Sequence, residues 1–149
     1  MSISYLLDTN TASFIVRGNP PQVLVHLARV TAVQTAISTV TEAELLFGLE
    51  RRPHATQLRL VVTRFLEVAT ILPWGPKAAQ HYARLRTALE SAGKPLAALD
   101  TMLAAQAFAE DLVLVSNDRA FAQVARLKLE DWTLPAGASP EHPSDARNR

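Results

Sequence analysis

Two short apolar runs, ISYLL at residues 3–7 and LVLV at residues 112–115, each lead within three residues to an aspartate, Asp8 in the first case and Asp118 in the second. Runs of this length that are apolar on both faces read as buried strands, and a carboxylate at such an edge is costly unless something holds it. Weaker runs at residues 35–38, 68–72 and 128–130 bring the expected strands to about five. Helical patterns lie between them, so the chain reads as an α/β protein built on a mainly parallel sheet. The clearest helix spans residues 77–91, where Ala78, Tyr82, Leu85 and Leu89 recur at helical spacing and Gly93 stands just beyond as a stop. Two more helices fill residues 41–67, split near Pro53, and another spans residues 99–110. That last segment, LDTMLAAQAFAE, is hydrophobic all round, which marks a buried helix or a packing interface.

A length of 149 residues suits one domain with an ordinary core. Its expected extent is residues 1–133, because residues 134–149, LPAGASPEHPSDARNR, hold three prolines and no periodicity and read as a disordered tail. The absence of cysteine excludes disulfides, thiolate metal sites and cysteine nucleophiles, and a reducing cytoplasm fits. The first seven residues lack a basic segment and are too short for a signal peptide, and no apolar stretch reaches the ~18 residues a bilayer needs. The expectation is a cytoplasmic protein with no membrane association.

Four acids stand at the edges of apolar runs: Asp8, Glu44, Asp100 and Asp118. Asp8 and Asp118 follow strands, at the edge of a parallel sheet where ligand sites form, yet either could simply cap the next helix. Glu44 lies three residues after Thr41, a capping-box spacing, but Thr39 and Glu42 offer the same spacing and would release Glu44 to point inward. Gly48, one turn later, would clear room beside it. Asp100 interrupts a segment of Leu, Ala, Met and one Thr, where a charge is desolvated unless paired or metal-bound; capping a helix near Thr101 is the competing role. If folding gathers all four, like charges that close need a divalent cation between them. Setting these four aside leaves ten acids against fifteen Lys plus Arg, a basic surround suited to an anionic substrate.

Four segments carry a resemblance: LLDTN at the first strand, STVTEAELLFG at the second strand and its helix, GKPLAALDTMLAAQA through the buried helix, and LVLVSNDRAF near the end. In their order and spacing the chain resembles the PIN-domain ribonucleases, specifically the VapC-type toxins of bacterial toxin-antitoxin modules. That resemblance implies a three-layer α/β/α sandwich, usually dimeric, so a homodimer is implied here. It implies that Asp8, Glu44, Asp100 and Asp118 surround Mg²⁺ or Mn²⁺ and support hydrolysis of RNA phosphodiesters, with Asn10, Ser116 and Asn117 orienting carboxylates or water. Asp8, Asp100 and Asp118 would supply most metal contacts, directly or through water, and Glu44 would complete the shell or accept a proton. The further implications are a VapB-type antitoxin seated in a groove of the toxin, with DNA reached only through that antitoxin.

Arg17, Arg51, Arg52, Arg84, Arg86, Lys94 and Arg119 lie near the motifs and are candidates to hold the RNA backbone, or are solvated helix-face charges. Trp74, Tyr82, Phe121 and Trp132 lie in apolar patterns that favour core packing over base stacking. Two other readings compete. A haloacid-dehalogenase-like phosphohydrolase also opens with a strand and an aspartate, but wants a second acid where Asn10 stands. A non-catalytic regulatory protein of the same fold would be expected to have a broken acid set.

Overall fold

The runs at residues 3–7 and 112–115 pair with each other at the middle of the sheet. A computed structural model describes residues 2–135 of the chain; the expected tail therefore lies, from residue 136 onward, outside the described residues. Strand β1 (Tyr5–Leu7) is flanked by β2 (Thr35–Ser38) and β4 (Val113–Val115), with β3 (Ile71–Leu72) and β5 (Leu129–Glu130) at the edges. The order is β3-β2-β1-β4-β5 and every pairing is parallel, with Tyr5, Leu6 and Leu7 in register with Val113, Leu114 and Val115. Five strands in a parallel sheet match the expectation from sequence. Each is shorter than its apolar run suggests at one end or both, except β2, because pairing rather than hydrophobicity decides where a ladder begins.

Helices α1 (Thr9–Arg17), α2 (Pro21–Arg29), α3 (Thr39–Glu50) and α4 (Thr56–Val68) follow β1 and β2, while α5 (Pro76–Ser91) and α6 (Ala98–Ala109) lie between β3 and β4. Alternation along the strands sorts these helices into two layers. Leu6 and Leu114 point into a core shared with Leu89, Leu103, Ala104 and Ala107 of α5 and α6. Leu7, Ile37 and Val115 point the other way, against Ala12, Val23, Leu45, Leu49 and Val62 of α1 to α4. The result is a three-layer α/β/α sandwich. Chain direction reverses at β1: the path moves outward to β2 and β3, then returns to the opposite flank at β4. In a parallel sheet that reversal opens a crevice beyond the carboxyl ends of the central strands, and side chains following β1 and β4 project into it.

Sequence patterning places α3 to α6 within two residues of where they stand, but it assigns no helices to residues 9–29. There two helices of nine residues each stand, and α2 begins with Pro21 at its first position and buries Val23. The domain closes on Trp132, which is 2% exposed, meets Tyr5 edge-on and stacks on His26. His26 Nε2 lies 2.8 Å from the Leu134 carbonyl oxygen, tying the last described residues to α2. Among the described residues no helix is long and apolar enough to cross a membrane.

Candidate active site

Asp8 ends β1 and begins α1. Its backbone is extended, and its Oδ1 accepts a 2.7 Å hydrogen bond from the Thr11 amide, so it is the N-cap of α1. Its own amide donates to the Val115 carbonyl, while Thr11 Oγ1 donates to that same oxygen across 3.1 Å. These bonds bolt the first turn of α1 onto the end of β4. Asp118 stands just beyond β4 and caps the 3-10 turn Arg119–Gln123, accepting from the Ala120 amide at 2.9 Å. Ser116 joins the two: its hydroxyl accepts from the Asp118 amide at 3.0 Å and donates to the Asp8 carboxylate. The capping role set out from sequence for Asp8 and Asp118 is thus observed for both.

Glu44 and Asp100 carry no cap. Helix α3 is capped by Ser38, whose Oγ accepts from the Val40 amide at 3.0 Å, so neither of the two threonine spacings read from sequence caps it. Thr39 Oγ1 instead accepts from the Trp74 amide. Glu44 is consequently released from capping, as the inward reading of that residue requires, and its Oε1 accepts a 2.7 Å hydrogen bond from Thr9 Oγ1. Asp100 sits in the first turn of α6, whose cap position is Ala97, so it is not the cap of that helix either.

Asp100 feels the charge of the other three acids. Burial pushes the Asp100 carboxyl up to about 6, and the charges of Asp118, Asp8 and Glu44 add to that rise in descending order. Asp8, 4% exposed, is also raised: burial dominates, hydrogen bonds from Ser116 and Thr11 oppose it, and the charge of Asp118 adds to it. The ion pairs among the described residues are Arg86 with Glu90 and Lys128 with Asp111, both on the surface, so none of the four acids has a cationic partner there. A cluster of carboxylates repelling one another with no compensating side chain is a donor set suited to a hard divalent cation. No three acidic or histidine side chains among the described residues stand close enough together to hold a metal ion as they are placed.

Of the supporting residues expected from sequence, Ser116 contacts the acids; Asn10 and Asn117 are exposed and make no hydrogen bond to them among the described residues. Thr9 was not singled out in the sequence, because its partner lies 35 residues away and nothing local marks the contact. Beside Glu44 opens a cavity of about 170 Å³, floored by Leu45, Gly48, Leu49 and Val62 and edged by Arg17, Arg51 and Arg52. Three of the basic candidates thus gather at one flank of the acidic cluster. Arg86 is engaged with Glu90 and Tyr82. Phe121 and Trp132 are core residues, and Trp74 donates its indole N–H to the Met102 carbonyl at 2.9 Å.

The chain is 34% identical over 131 residues to Ribonuclease VapC2 of Haemophilus influenzae, a match covering 87% of this chain and 98% of that protein. It is 30% identical over 131 residues to the tRNA(fMet)-specific endonuclease VapC of Salmonella typhimurium, covering 87% of this chain and 98% of that one. The crystal structure of DNA-bound VapBC from Salmonella typhimurium superposes with a TM-score of 0.81 at 30% identity, covering 87% of this chain and 98% of its counterpart. With the PIN domain model matching residues 5–127, which contain all four acids and every strand but β5, the chain belongs to the PIN domain family.

Proposed function

We propose that this protein is the toxin of a bacterial toxin-antitoxin pair, a cytoplasmic endoribonuclease that hydrolyses RNA phosphodiester bonds with Mg²⁺ or Mn²⁺. The observation that carries the reading is that burial and the charges of Asp118, Asp8 and Glu44, acids from three other elements, push up the Asp100 carboxyl, while among the described residues no ion pair offsets any of the four. Relatives named as ribonucleases, at 30–34% identity over nearly their whole length, supply the reaction class.

When bound, a divalent cation would supply Lewis acidity, lowering the pKa of a water and offsetting charge on the phosphoryl oxygens. Asp8 and Asp118 would hold it, their carboxylates each fixed by the backbone amide they cap. Asp100, whose carboxyl burial and neighbouring charge push up to about 6, would gain from a cation and contribute a third carboxylate directly or through water. Glu44 would complete the shell or take up a proton. Arg17, Arg51 and Arg52 would draw the RNA backbone to the cluster's flank, where phosphate contacts position without reading sequence.

The direct test incubates purified protein with total RNA in Mg²⁺, Mn²⁺ or EDTA and sequences the ends produced. Cleavage at defined sites that EDTA stops supports the reading; hydrolysis of small phosphoesters with none of RNA would replace it with a phosphatase.

The proposed partner is a VapB-type antitoxin, as in the VapBC complexes this fold superposes on, with DNA bound only through it. Gly48 gives that idea a residue-level test. Glycine inside a helix costs about 1 kcal/mol relative to alanine, yet a Cβ here would meet nothing within 4 Å. The free protein has no steric need for it, whereas a chain lying in the cavity would. Gly48→Ala is expected to stabilise the toxin by about 0.5–1 kcal/mol while weakening inhibition by the cognate antitoxin roughly tenfold. Titrating antitoxin against nuclease activity checks this, and an unchanged inhibition constant would remove Gly48 from the docking surface.

A further inference from the structure

We infer that Thr9 is a positioning residue that holds the Glu44 carboxylate in its working orientation, an inference that rests on the metal-dependent reading of the acidic cluster. Glu44 hangs from the flank of α3 on a long side chain that α3 itself does not restrain, since Ser38 caps that helix and no cation pairs with it among the described residues. Left alone, such a side chain samples several rotamers and loses that freedom each time it is recruited. The contact that orders it is the 2.7 Å bond from Thr9 Oγ1 to Oε1. A hydroxyl carries one proton, and a carboxylate at that distance takes it in preference to the Thr41 hydroxyl 3.4 Å away.

Where Thr9 sits gives this bond its leverage. It immediately follows Asp8, whose backbone and carboxylate are both pinned, by Val115 and by the first turn of α1. A hydroxyl on the next residue therefore fixes one Glu44 oxygen relative to Asp8 and leaves the second, Oε2, without a side-chain hydrogen bond among the described residues. One turn of α1 thus supplies an acid of the cluster and the donor that orients another. Groups that fix a ligand without touching the ion commonly govern affinity by 10–100-fold when removed.

The experiment measures Mn²⁺ affinity by electron paramagnetic resonance, and RNA cleavage in parallel, for the parent, Thr9→Val, Thr9→Ser, Glu44→Gln and the Thr9→Val/Glu44→Gln pair. Thr9→Val, which keeps shape and removes the hydroxyl, is expected to weaken Mn²⁺ binding roughly tenfold; Thr9→Ser should restore it to within about twofold, since the donor returns. In the Glu44→Gln background the Thr9→Val change should add nothing further, because residues acting through one contact are not additive. A Thr9→Val protein that melts lower but binds Mn²⁺ as the parent does would make the bond a simple α1–α3 staple and overturn the proposal. So would an equal loss in both backgrounds. A parent that neither binds Mn²⁺ nor cleaves RNA would instead fail the reading of the whole cluster, a result distinct from either.

Discussion

Asp100→Asn is expected to lower RNA cleavage on the order of 100-fold or more and, in the same protein held in EDTA, to raise the melting temperature. The loss of cleavage follows from the proposed role of its carboxylate, and the gain in stability from the elevation of that carboxyl to about 6 by burial and by three neighbouring charges. An acid whose proton is held more tightly folded than unfolded contributes stability below its unfolded pKa, near 4, and that contribution is lost as pH rises towards 6. At neutral pH without a cation, the folded state therefore carries the whole cost of the ionised group. The shift corresponds at full value to about 3 kcal/mol, and because Asp100 is only half-buried we discount it to about 1 kcal/mol, or roughly 3 °C in a domain of this size. Replacing it with the neutral isostere removes that cost and, with it, a carboxylate for the cation. Added Mg²⁺ should reverse the ranking, stabilising the parent more than the variant. Thermal melts in EDTA and in Mg²⁺, with cleavage assays on the same preparations, check the pair of effects; an active variant, or one that melts below the parent in EDTA, would contradict the argument.

How far the sequence reveals such a site depends on whether each constraint is local. Asp100 stood out because it is the one carboxylate between Leu96 and Ala105 and its local alternative was to cap a helix near Thr101, whereas α6 has Ala97 at its cap position. The strands were legible because both faces of a central parallel strand are buried, which makes Leu6, Leu7, Leu114 and Val115 apolar without interruption. Glu44 was ambiguous because two threonines offered capping spacings, and the side chain that caps α3 is Ser38, which the apolar pattern had absorbed into β2. Helix α1 is only nine residues long, which leaves its apolar spacing few turns in which to repeat, and only Thr11 and Ala12 are fully buried. Thr9 was invisible for the same reason that makes it interesting: its partner arrives from another helix, and no spacing along one segment records a contact between two.

Asp8 carries the second large effect, and here two substitutions should part company. Asn caps a helix about as well as Asp, so Asp8→Asn keeps the bond from the Thr11 amide and retains the fold, while cleavage falls on the order of 100-fold or more. Asp8→Ala loses the same charge and the cap as well. The Thr11 amide, on a residue 3% exposed, is then left without its acceptor, and lost capping together with an unsatisfied buried donor costs ~2 kcal/mol. In a domain of this size that lowers the melting temperature by roughly 6 °C, a loss Asp8→Asn should not share. Equal inactivity with unequal stability is the signature of one side chain performing two tasks, closing α1 through Oδ1 and lending its charge to the cluster. Retained cleavage in Asp8→Asn would detach Asp8 from the chemistry and leave it only a cap. Equal melting temperatures for Asn and Ala would show that the first turn of α1 stands without it, held instead by Thr11 Oγ1 on the Val115 carbonyl.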